Sequence, residues 1–184
     1  FGAPRRPTLA AGTVVGAPNT GKSTFFNRLT GASARVANWP GMTVDVTTAR
    51  LLLGDAMVKL ADLPGIYSLD GHSDDEALVQ RFLGSVALDA IVAVVNATRI
   101  ELQLPLVLAL KATGVPVLVI LNMADEAAKH GVVIDVPRLM EELGTPVVAT
   151  SAKYGRGIDD AMRALRRLLD AHSGAVVADL ALVP

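Results

Sequence analysis

The stretch that decides the fold is Gly16-Ala17-Pro18-Asn19-Thr20-Gly21-Lys22-Ser23. It matches the phosphate-binding pattern GxxxxGK[ST] at every fixed position, and it lies between an apolar run, Thr8–Val15, and a helical pattern that starts near Lys22. In this motif, backbone N–H groups of the turn and the positive end of the helix dipole surround the β-phosphate of a nucleotide. The segment therefore predicts a P-loop nucleotide-binding domain.

On either side of this loop, apolar runs of strand length alternate with helical patterns. Strands are predicted at Thr8–Val15, Thr43–Leu53, Ala56–Ala61, Ile91–Val95, Val115–Leu121 and Val147–Thr150, and helices at Lys22–Leu29, Ser73–Val86, Glu101–Thr113, Pro137–Leu143 and Ile158–Ala171. The alternation predicts a doubly wound α/β fold with a mostly parallel six-stranded sheet and about five helices. The phosphate loop, together with the guanine-binding segments described below, indicates a P-loop NTPase of the Ras-like G-domain type. Gly31–Met42 lacks a clear period and is predicted to be a loop.

Composition limits the possible functions. The chain has 184 residues, a net charge of −1, 51% hydrophobic and 19% charged residues, and no cysteine. These values predict one folded domain, and they argue against a nucleic-acid partner, a disulfide framework and thiol chemistry. The apolar stretch Leu102–Leu121 is interrupted by two prolines and a lysine, so no membrane span is predicted. Residues 1–172 are predicted to form the domain, and residues 173–184 an unassigned tail.

The fixed positions of the phosphate loop have separate chemical tasks. Gly16 and Gly21 let the backbone curl around the phosphates. Lys22 would bridge the β- and γ-phosphates as a catalytic residue, and the Ser23 hydroxyl would bind Mg²⁺. The predicted nucleotide-binding residues of this segment are Gly16, Asn19, Thr20, Gly21, Lys22, Ser23 and Thr24.

Two further segments indicate which base the site prefers. Asn122-Met123-Ala124-Asp125 follows the fifth predicted strand and matches NxxD, although the same residues would also serve as a helix cap. A carboxylate at Asp125 can accept from the ring N–H and the exocyclic amine of guanine, a pair of donors that adenine lacks. Ser151-Ala152-Lys153 follows the sixth predicted strand and would offer a backbone N–H to the guanine carbonyl oxygen. Together these segments favour GTP over ATP.

Two residues of the NxxD segment have additional expected roles. Asn122 is expected to tie the base segment to the phosphate loop, and Met123 to cover the base with an apolar side chain. The predicted base-binding residues are Asn122, Met123, Asp125, Ser151, Ala152 and Lys153.

The third predicted strand ends in Asp62-Leu63-Pro64-Gly65, a DxxG motif. Asp62 would hold Mg²⁺ through a water molecule, and the Gly65 N–H would contact the γ-phosphate, which makes Gly65 a predicted catalytic residue. The next residue, Ile66, has an aliphatic side chain that cannot orient the attacking water as the Gln of Ras-like enzymes does. Slow intrinsic hydrolysis of GTP is therefore predicted.

Asn38–Val44 has the sequence NWPGMTV and is predicted to be a switch loop. Its Thr43 is the best-placed hydroxyl to complete the Mg²⁺ shell when a γ-phosphate is present, because Thr47 and Thr48 lie too far into the following strand. Trp39 is the only tryptophan, and two interpretations stay open: core packing, or a half-exposed side chain in the loop.

Four segments together resemble a known family. NWPGMTV (38–44), DLPGIYSL (62–69), NMADEA (122–127) and SAKYGRGID (151–159) closely resemble the cytosolic G domain of the ferrous iron transport protein B family, over about Leu9–Leu169. The resemblance implies a domain that binds GTP and GDP, hydrolyses GTP slowly, and regulates or drives Fe²⁺ uptake by a membrane region C-terminal to it. It also implies a place at the cytoplasmic face of the bacterial inner membrane and a homo-oligomer through the full-length protein. Because members and relatives often use K⁺, the resemblance makes Asn19 a candidate K⁺ ligand.

The sequence also departs from the family, and two other functions stay open. Family members generally continue into a helical spacer domain, whereas this sequence starts at Phe1 and ends at Pro184, which suggests a fragment or a member without the spacer. An RNA- or ribosome-linked GTPase of the Era and MnmE kind shares the phosphate loop and DxPG but would need a basic face. A nucleotide sensor with negligible hydrolysis is compatible with Ile66.

Overall fold

The structure, a computed structural model, describes residues 9–180, and the side chains of residue 32 and of residues 174–180 lie outside the description. The predicted start of the first strand at Thr8 therefore falls outside it. The strands of the described part are β1 Leu9–Gly16, β2 Arg35–Asn38, β3 Asp45–Leu53, β4 Ala56–Asp62, β5 Ala90–Asn96, β6 Val117–Asn122 and β7 Val147–Ala149. Its α-helices are α1 Lys22–Thr30, α2 Asp74–Ser85, α3 Ile100–Lys111, α4 Ala124–Lys129, α5 Val136–Leu143 and α6 Ile158–Leu180.

All of these strands form one sheet in the order β2-β3-β4-β1-β5-β6-β7. β1 pairs in parallel with β4 and β5, and β6 pairs in parallel with β5 and β7. β2 and β3 form an antiparallel edge beside β4. The carboxyl ends of the parallel strands therefore meet at one edge of the sheet, where open α/β sheets bind their ligands.

The fold class is confirmed, but within residues 9–180 the structure has one strand and one helix more than predicted. The extra strand, β2, lies in the segment predicted to be a loop. It is an edge strand that pairs only with β3, and three of its four residues are exposed. Because neither face is fully buried, its sequence shows no apolar alternation. The extra helix, α4, has six residues, which is too short for a helical period to show in the sequence.

The helices on the two faces of the sheet bury two apolar cores. α1 and α6 cover one core, in which Phe25, Phe26 and Leu165 are buried. α2 and α3 cover the other, in which Phe82 is buried. Trp39 is 5% exposed and packs edge-on against Phe82, with the ring centroids 5.3 Å apart. The core-packing interpretation of Trp39 is therefore confirmed, and the half-exposed one is wrong.

Two helices differ from their predictions. α6 continues past the predicted end at Ala171, so residues 173–180 of the unassigned tail are helical, and residues 181–184 lie outside the described part. No proline stands between Ala171 and Pro184 to end the helix. α3 spans Ile100–Lys111 rather than the predicted Glu101–Thr113, and it contains Pro105 in its interior. Among the helices described, none combines the length and the apolar character that a membrane span needs.

Candidate nucleotide site

The phosphate loop is the turn between β1 and α1. Gly21, directly before α1, has a φ of 77°, and a Cβ atom there would lie 2.3 Å from the side-chain nitrogen of Asn122. Glycine alone meets both conditions. Asn19 also has a positive φ, of 62°, in a region that asparagine tolerates better than most side chains do. The curved backbone leaves the N-terminal end of α1 directly behind the loop, as phosphate binding requires.

Asn122 joins the phosphate loop to the base segments. Its side-chain amide donates to the Thr20 carbonyl oxygen at 2.9 Å. Its side-chain oxygen accepts from the Thr150 hydroxyl and from the Ala152 N–H, both at 3.0 Å. Asn122 is 3% exposed, so these bonds replace the contacts with water that its amide has lost. Three segments distant in sequence thus meet on one buried side chain.

A cavity of about 170 Å³ beside Asn122 contains the predicted base-binding residues. It is lined by Gly21, Thr24, Asn122, Met123, Asp125, Glu126, Ser151, Ala152 and Lys153. The Asp125 N–H donates to the Ser151 hydroxyl oxygen at 3.2 Å, and hydrogen bonding with the Ser151 side chain lowers the pKa of the Asp125 carboxyl. An ionised carboxylate accepts hydrogen bonds and donates none, which matches the two adjacent donors of guanine.

A larger cleft, of about 700 Å³, opens beside the phosphate loop. Besides the loop, its lining includes Asp45–Thr47 at the start of β3, Asp62–Gly65 at and after the end of β4, and Asp75 and Leu78 of α2. The Lys22 ammonium group pairs with the Asp62 carboxylate, and the two side chains are 10% and 14% exposed. Lys22, predicted to contact phosphate, and Asp62, predicted to hold magnesium, are therefore adjacent in the cleft.

The oxygen donors of this cleft fit Mg²⁺. The Ser23 hydroxyl and the Asp62 carboxylate both line it. Mg²⁺ prefers oxygen ligands, usually one or two carboxylates together with water molecules and the phosphate oxygens of a substrate. Thr47, which is the direct cross-strand partner of Asp62, adds a hydroxyl-bearing residue to the same lining. A metal ion here would share its coordination with a bound phosphate.

The segment after β4 packs directly against the phosphate loop. The Ile66 N–H donates to the Gly16 carbonyl oxygen at 3.0 Å. A Cβ atom at Gly65 would lie only 3.1 Å from atoms of Pro18, so a larger residue would push the two segments apart. The Ile66 side chain is 2% exposed, belongs to the same core as Phe82, and is not among the residues that line the cleft. It is therefore in no position to contact an attacking water.

Not every predicted residue lines the two cavities. Gly16 and Thr20 are buried, and the Thr20 hydroxyl donates to the Ala17 carbonyl oxygen at 3.0 Å, so these residues shape the loop. Thr43 is exposed and lies outside the cleft lining in this structure. Thr47 lies there instead, because the antiparallel pairing of β3 with β4 brings the start of β3 to the edge of the sheet where β4 ends.

Sequence reasoning rejected one hydroxyl residue of the cleft and did not single out another near the base cavity. Thr47 was judged to lie too far into the following strand, but the β3–β4 register places it in the cleft lining. Thr150 did carry a signal, since it is a polar residue at the end of an apolar strand and directly before Ser151. Met123 has a φ of 60°, which is strained for a residue other than glycine and is typical of functional segments.

Comparison with known proteins agrees with this geometry. The family model described as ferrous iron transport protein B matches residues 11–165. This chain belongs to that family. The Fe(2+) transporter FeoB of Synechocystis sp. is 52% identical over 153 residues, which are 83% of this chain and 25% of that protein. The FeoB of Salmonella typhimurium is 42% identical over 164 residues, which are 87% of this chain and 21% of that protein. The chain thus spans about a quarter or less of the length of these relatives.

A solved structure of another FeoB domain has the same fold. The G domain of the T. maritima FeoB iron transporter is 32% identical, with a TM-score of 0.78 over 90% of this chain and 99% of that chain. The chain is therefore a P-loop G domain. An S. thermophilus NFeoB variant bound to GDP is 39% identical, with a TM-score of 0.77 over 84% of this chain and 61% of that chain.

Proposed function

We propose that this G domain binds GTP and GDP, with the phosphates in the phosphate loop and the guanine base in the cavity beside Asp125. The observation that carries the proposal is the Asn122 side chain, which joins the Thr20 carbonyl of the phosphate loop to the Ala152 N–H of the base segment. A single nucleotide that reached both cavities would meet phosphate donors at one end and a guanine acceptor at the other. The GDP in the S. thermophilus relative supports the same class of ligand.

Selectivity for guanine follows from the Asp125 carboxylate. The ring N–H and the exocyclic amine of guanine would both donate to it. Adenine would leave this acceptor without a partner in a partly enclosed cavity, at a cost of about 1–3 kcal/mol. Met123 would cover one face of the base, and Ser151–Lys153 would supply a backbone N–H to the guanine carbonyl oxygen.

The same site is proposed to hydrolyse GTP to GDP and phosphate. Mg²⁺ at Ser23, and through water at Asp62, would supply positive charge against the β- and γ-phosphates. Lys22 would leave its pairing with Asp62 and stabilise charge that builds on the γ-phosphate, while the Gly65 N–H contacts the same group. Thr43 would have to move from its exposed position in the loop between β2 and β3 to reach the metal.

We propose that the intrinsic rate is slow and that K⁺ raises it. The Ile66 side chain is buried in the core, so no side chain at this position orients the attacking water. Asn19 lies in the phosphate loop and lines the cleft, where its side-chain oxygen is a suitable K⁺ ligand. A cation held there would offset negative charge near the bond between the β- and γ-phosphates, as an arginine finger does in other GTPases.

The wider role is inferred from the relatives, which carry the name Fe(2+) transporter. Nucleotide binding or hydrolysis in this domain would regulate or drive Fe²⁺ uptake by a membrane region of the same protein. The domain would then work at the cytoplasmic face of the bacterial inner membrane, and the full-length protein would bring copies together as a homo-oligomer. Family membership argues against the RNA-linked GTPase of the Era and MnmE kind. The burial of Ile66 favours a sensor with negligible hydrolysis as the second candidate.

The test is steady-state hydrolysis of GTP and ATP with Mg²⁺, in K⁺ and in Na⁺ at equal ionic strength. We expect GTP but not ATP to be hydrolysed, and the rate to be higher in K⁺ than in Na⁺. In Asn19→Ala the rates in the two salts should be equal. The rate of Lys22→Ala gives the background without catalysis by the site. Equal rates in both salts would remove the K⁺ proposal. A rate no higher than that of Lys22→Ala, with GTP still bound, would leave the sensor as the function.

A further inference from the structure

Three cationic side chains converge on one face of the sheet edge, away from the nucleotide cleft. Arg35 lies on β2, Arg50 on β3 and Lys59 on β4, and all three line a cavity of about 470 Å³. The other residues of its lining are Ser33, Ala37, Thr48 and Ala49. The described lining thus contains three positive charges and no acidic side chain. We call it the cationic cavity.

Strand register places these charges together. Arg50 is the direct cross-strand partner of Lys59 in the antiparallel β3–β4 pair. Arg35 is the cross-strand partner of Thr48, which lies two residues before Arg50 and therefore on the same face of β3. Neighbouring strands lie about 4.8 Å apart and alternate residues about 6.8 Å apart along a strand, so the three Cα atoms fall within about 12 Å of one another.

The three charges lack a counter-charge within the described part of the chain. None of them lies within ion-pair distance of a carboxylate there; most other described Lys and Arg side chains also lack an ion pair, but these three line one cavity together. Like charges directly opposite each other on paired strands repel. Because the net charge of the chain is only −1, this excess of positive charge is local. A group of unneutralised cations around one cavity indicates that the counter-charge comes from a ligand.

Lys59 links the cationic cavity to the switch loop. Its ammonium group lies over the Trp39 ring, 4.4 Å from the centroid, and Trp39 in turn packs on Phe82 of α2. β2 leads directly into the loop that contains Trp39, and β3 begins with Asp45–Thr47, which line the nucleotide cleft. An anion that drew Lys59 toward the cavity would weaken the cation–π contact and change the surroundings of Trp39.

We propose that the cationic cavity binds a phosphate-bearing anion, at a second site separate from the phosphate loop, and that occupancy loosens the contact between Lys59 and Trp39. The planar guanidinium groups of Arg35 and Arg50 offer paired donors that match phosphate oxygens, and Lys59 adds a third charge. The lining residues other than Ala37 and Ala49 all carry polar or charged side chains. An acidic peptide would therefore find no large apolar side chain to pack against, which favours a compact anion.

Binding is measured by calorimetry with pyrophosphate at constant ionic strength, on protein saturated with GDP so that the phosphate loop is occupied. Free Mg²⁺ is left out, because pyrophosphate would sequester it. We expect one saturable site, with Arg35→Gln and Arg50→Gln each raising Kd about tenfold, the usual effect of losing a charged hydrogen bond. Arg138→Gln, which removes an exposed arginine of α5, is the matched control and leaves Kd unchanged.

Fluorescence of Trp39, the only tryptophan, tests the second half of the proposal. Pyrophosphate is expected to change its emission with the Kd found by calorimetry, and to have no such effect in Lys59→Met. Unchanged emission while pyrophosphate binds would overturn the link to Trp39. No saturable binding, or equal Kd values for Arg50→Gln and Arg138→Gln in folded protein, would overturn the site.

Two competitors identify the source of the anion. Phosphatidylglycerol vesicles that displace pyrophosphate, where phosphatidylcholine vesicles do not, would assign the phosphate to a lipid headgroup. Vesicles without effect would assign it to a free phosphate compound, and both results support the site. Tighter binding of hexaglutamate than of pyrophosphate would replace the phosphate assignment with an acidic peptide.

Discussion

The Asn122 side-chain amide donates a hydrogen bond of 2.9 Å to the Thr20 carbonyl oxygen, across 102 positions of the sequence. The donor is the last residue of β6 and the acceptor lies in the phosphate loop, so this bond helps to set the distance between the base cavity and the phosphate loop. Gly21 lies beside it, and a Cβ atom there would occupy the space of the Asn122 amide. The fold and the proposed nucleotide site therefore depend on the same contact.

Replacing Asn122 with alanine is expected to lower the free energy of unfolding by about 3 kcal/mol, because it leaves three buried polar groups without partners. These are the Thr20 carbonyl, the Thr150 hydroxyl and the Ala152 N–H. Urea unfolding without nucleotide measures the loss. Asn27→Ala, at an exposed position of α1, is the control and is expected to change stability by less than about 0.5 kcal/mol. Equal losses in the two variants would show that the Asn122 bonds do not stabilise the fold.

Asp125→Asn is expected to change the preferred base from guanine to xanthine. The Asn side-chain NH₂ group can donate to the extra carbonyl of xanthine. It has only one acceptor oxygen, so it cannot accept from both the ring N–H and the exocyclic amine of guanine as the two carboxylate oxygens can. Affinities for GTP and XTP measure the change. Glu141→Gln, which removes an exposed carboxylate of α5 outside the base cavity, should leave guanine preference intact. An unchanged preference in Asp125→Asn would remove this residue from the base site.

The pH dependence of guanine binding reports on the Asp125 carboxyl, whose pKa is lowered chiefly by hydrogen bonding with Ser151. A carboxyl with a lowered pKa keeps its charge, and the binding that depends on it, until the pH falls through that lowered value. Affinity for GDP should therefore persist below the usual aspartate pKa of about 3.9. Ser151→Ala removes the cause of the lowered pKa and should move the loss of affinity to higher pH. Identical pH profiles for the two proteins would contradict the role of Ser151.

The sequence alone was enough to predict the segments of the candidate site that are short turns with a fixed pattern of residues. The phosphate loop, NxxD and DxPG each consist of a turn after a strand, and parallel strands bring such turns to one edge. β2 was not predicted and Thr47 was rejected, because the antiparallel pairing of β2, β3 and β4 decides where these residues lie. The exposure of Trp39 could not be decided from the sequence for a related reason. Its ring is buried against Phe82, which is 43 positions away in the sequence, and a contact over that distance leaves no periodic pattern around Trp39.

Trp39→Ala is expected to lower the free energy of unfolding by about 3–5 kcal/mol, although the residue lies in a loop rich in glycine and proline. The loss follows from the buried ring, which fills space between Phe82 and Lys59. Thermal and urea unfolding measure it. Tyr67→Ala, an aromatic residue of another loop that is 71% exposed, should cost less than about 1 kcal/mol. Similar small effects in both variants would mean that Trp39 does not anchor the loop in solution.

Ile66→Gln introduces the residue type that orients water in Ras-like enzymes, yet we expect it not to raise the rate of GTP hydrolysis. The Ile66 side chain is 2% exposed and packs in the apolar core, so glutamine would bury an unpaired amide and lower the free energy of unfolding by about 1–3 kcal/mol. Tyr67→Gln introduces the same side chain at the next, exposed position and is expected to keep both the stability and the rate. Single-turnover hydrolysis and urea unfolding of the two variants measure these effects. A tenfold faster turnover in Ile66→Gln with stability unchanged would place the side chain at position 66 in the cleft and remove the physical basis for a slow intrinsic rate.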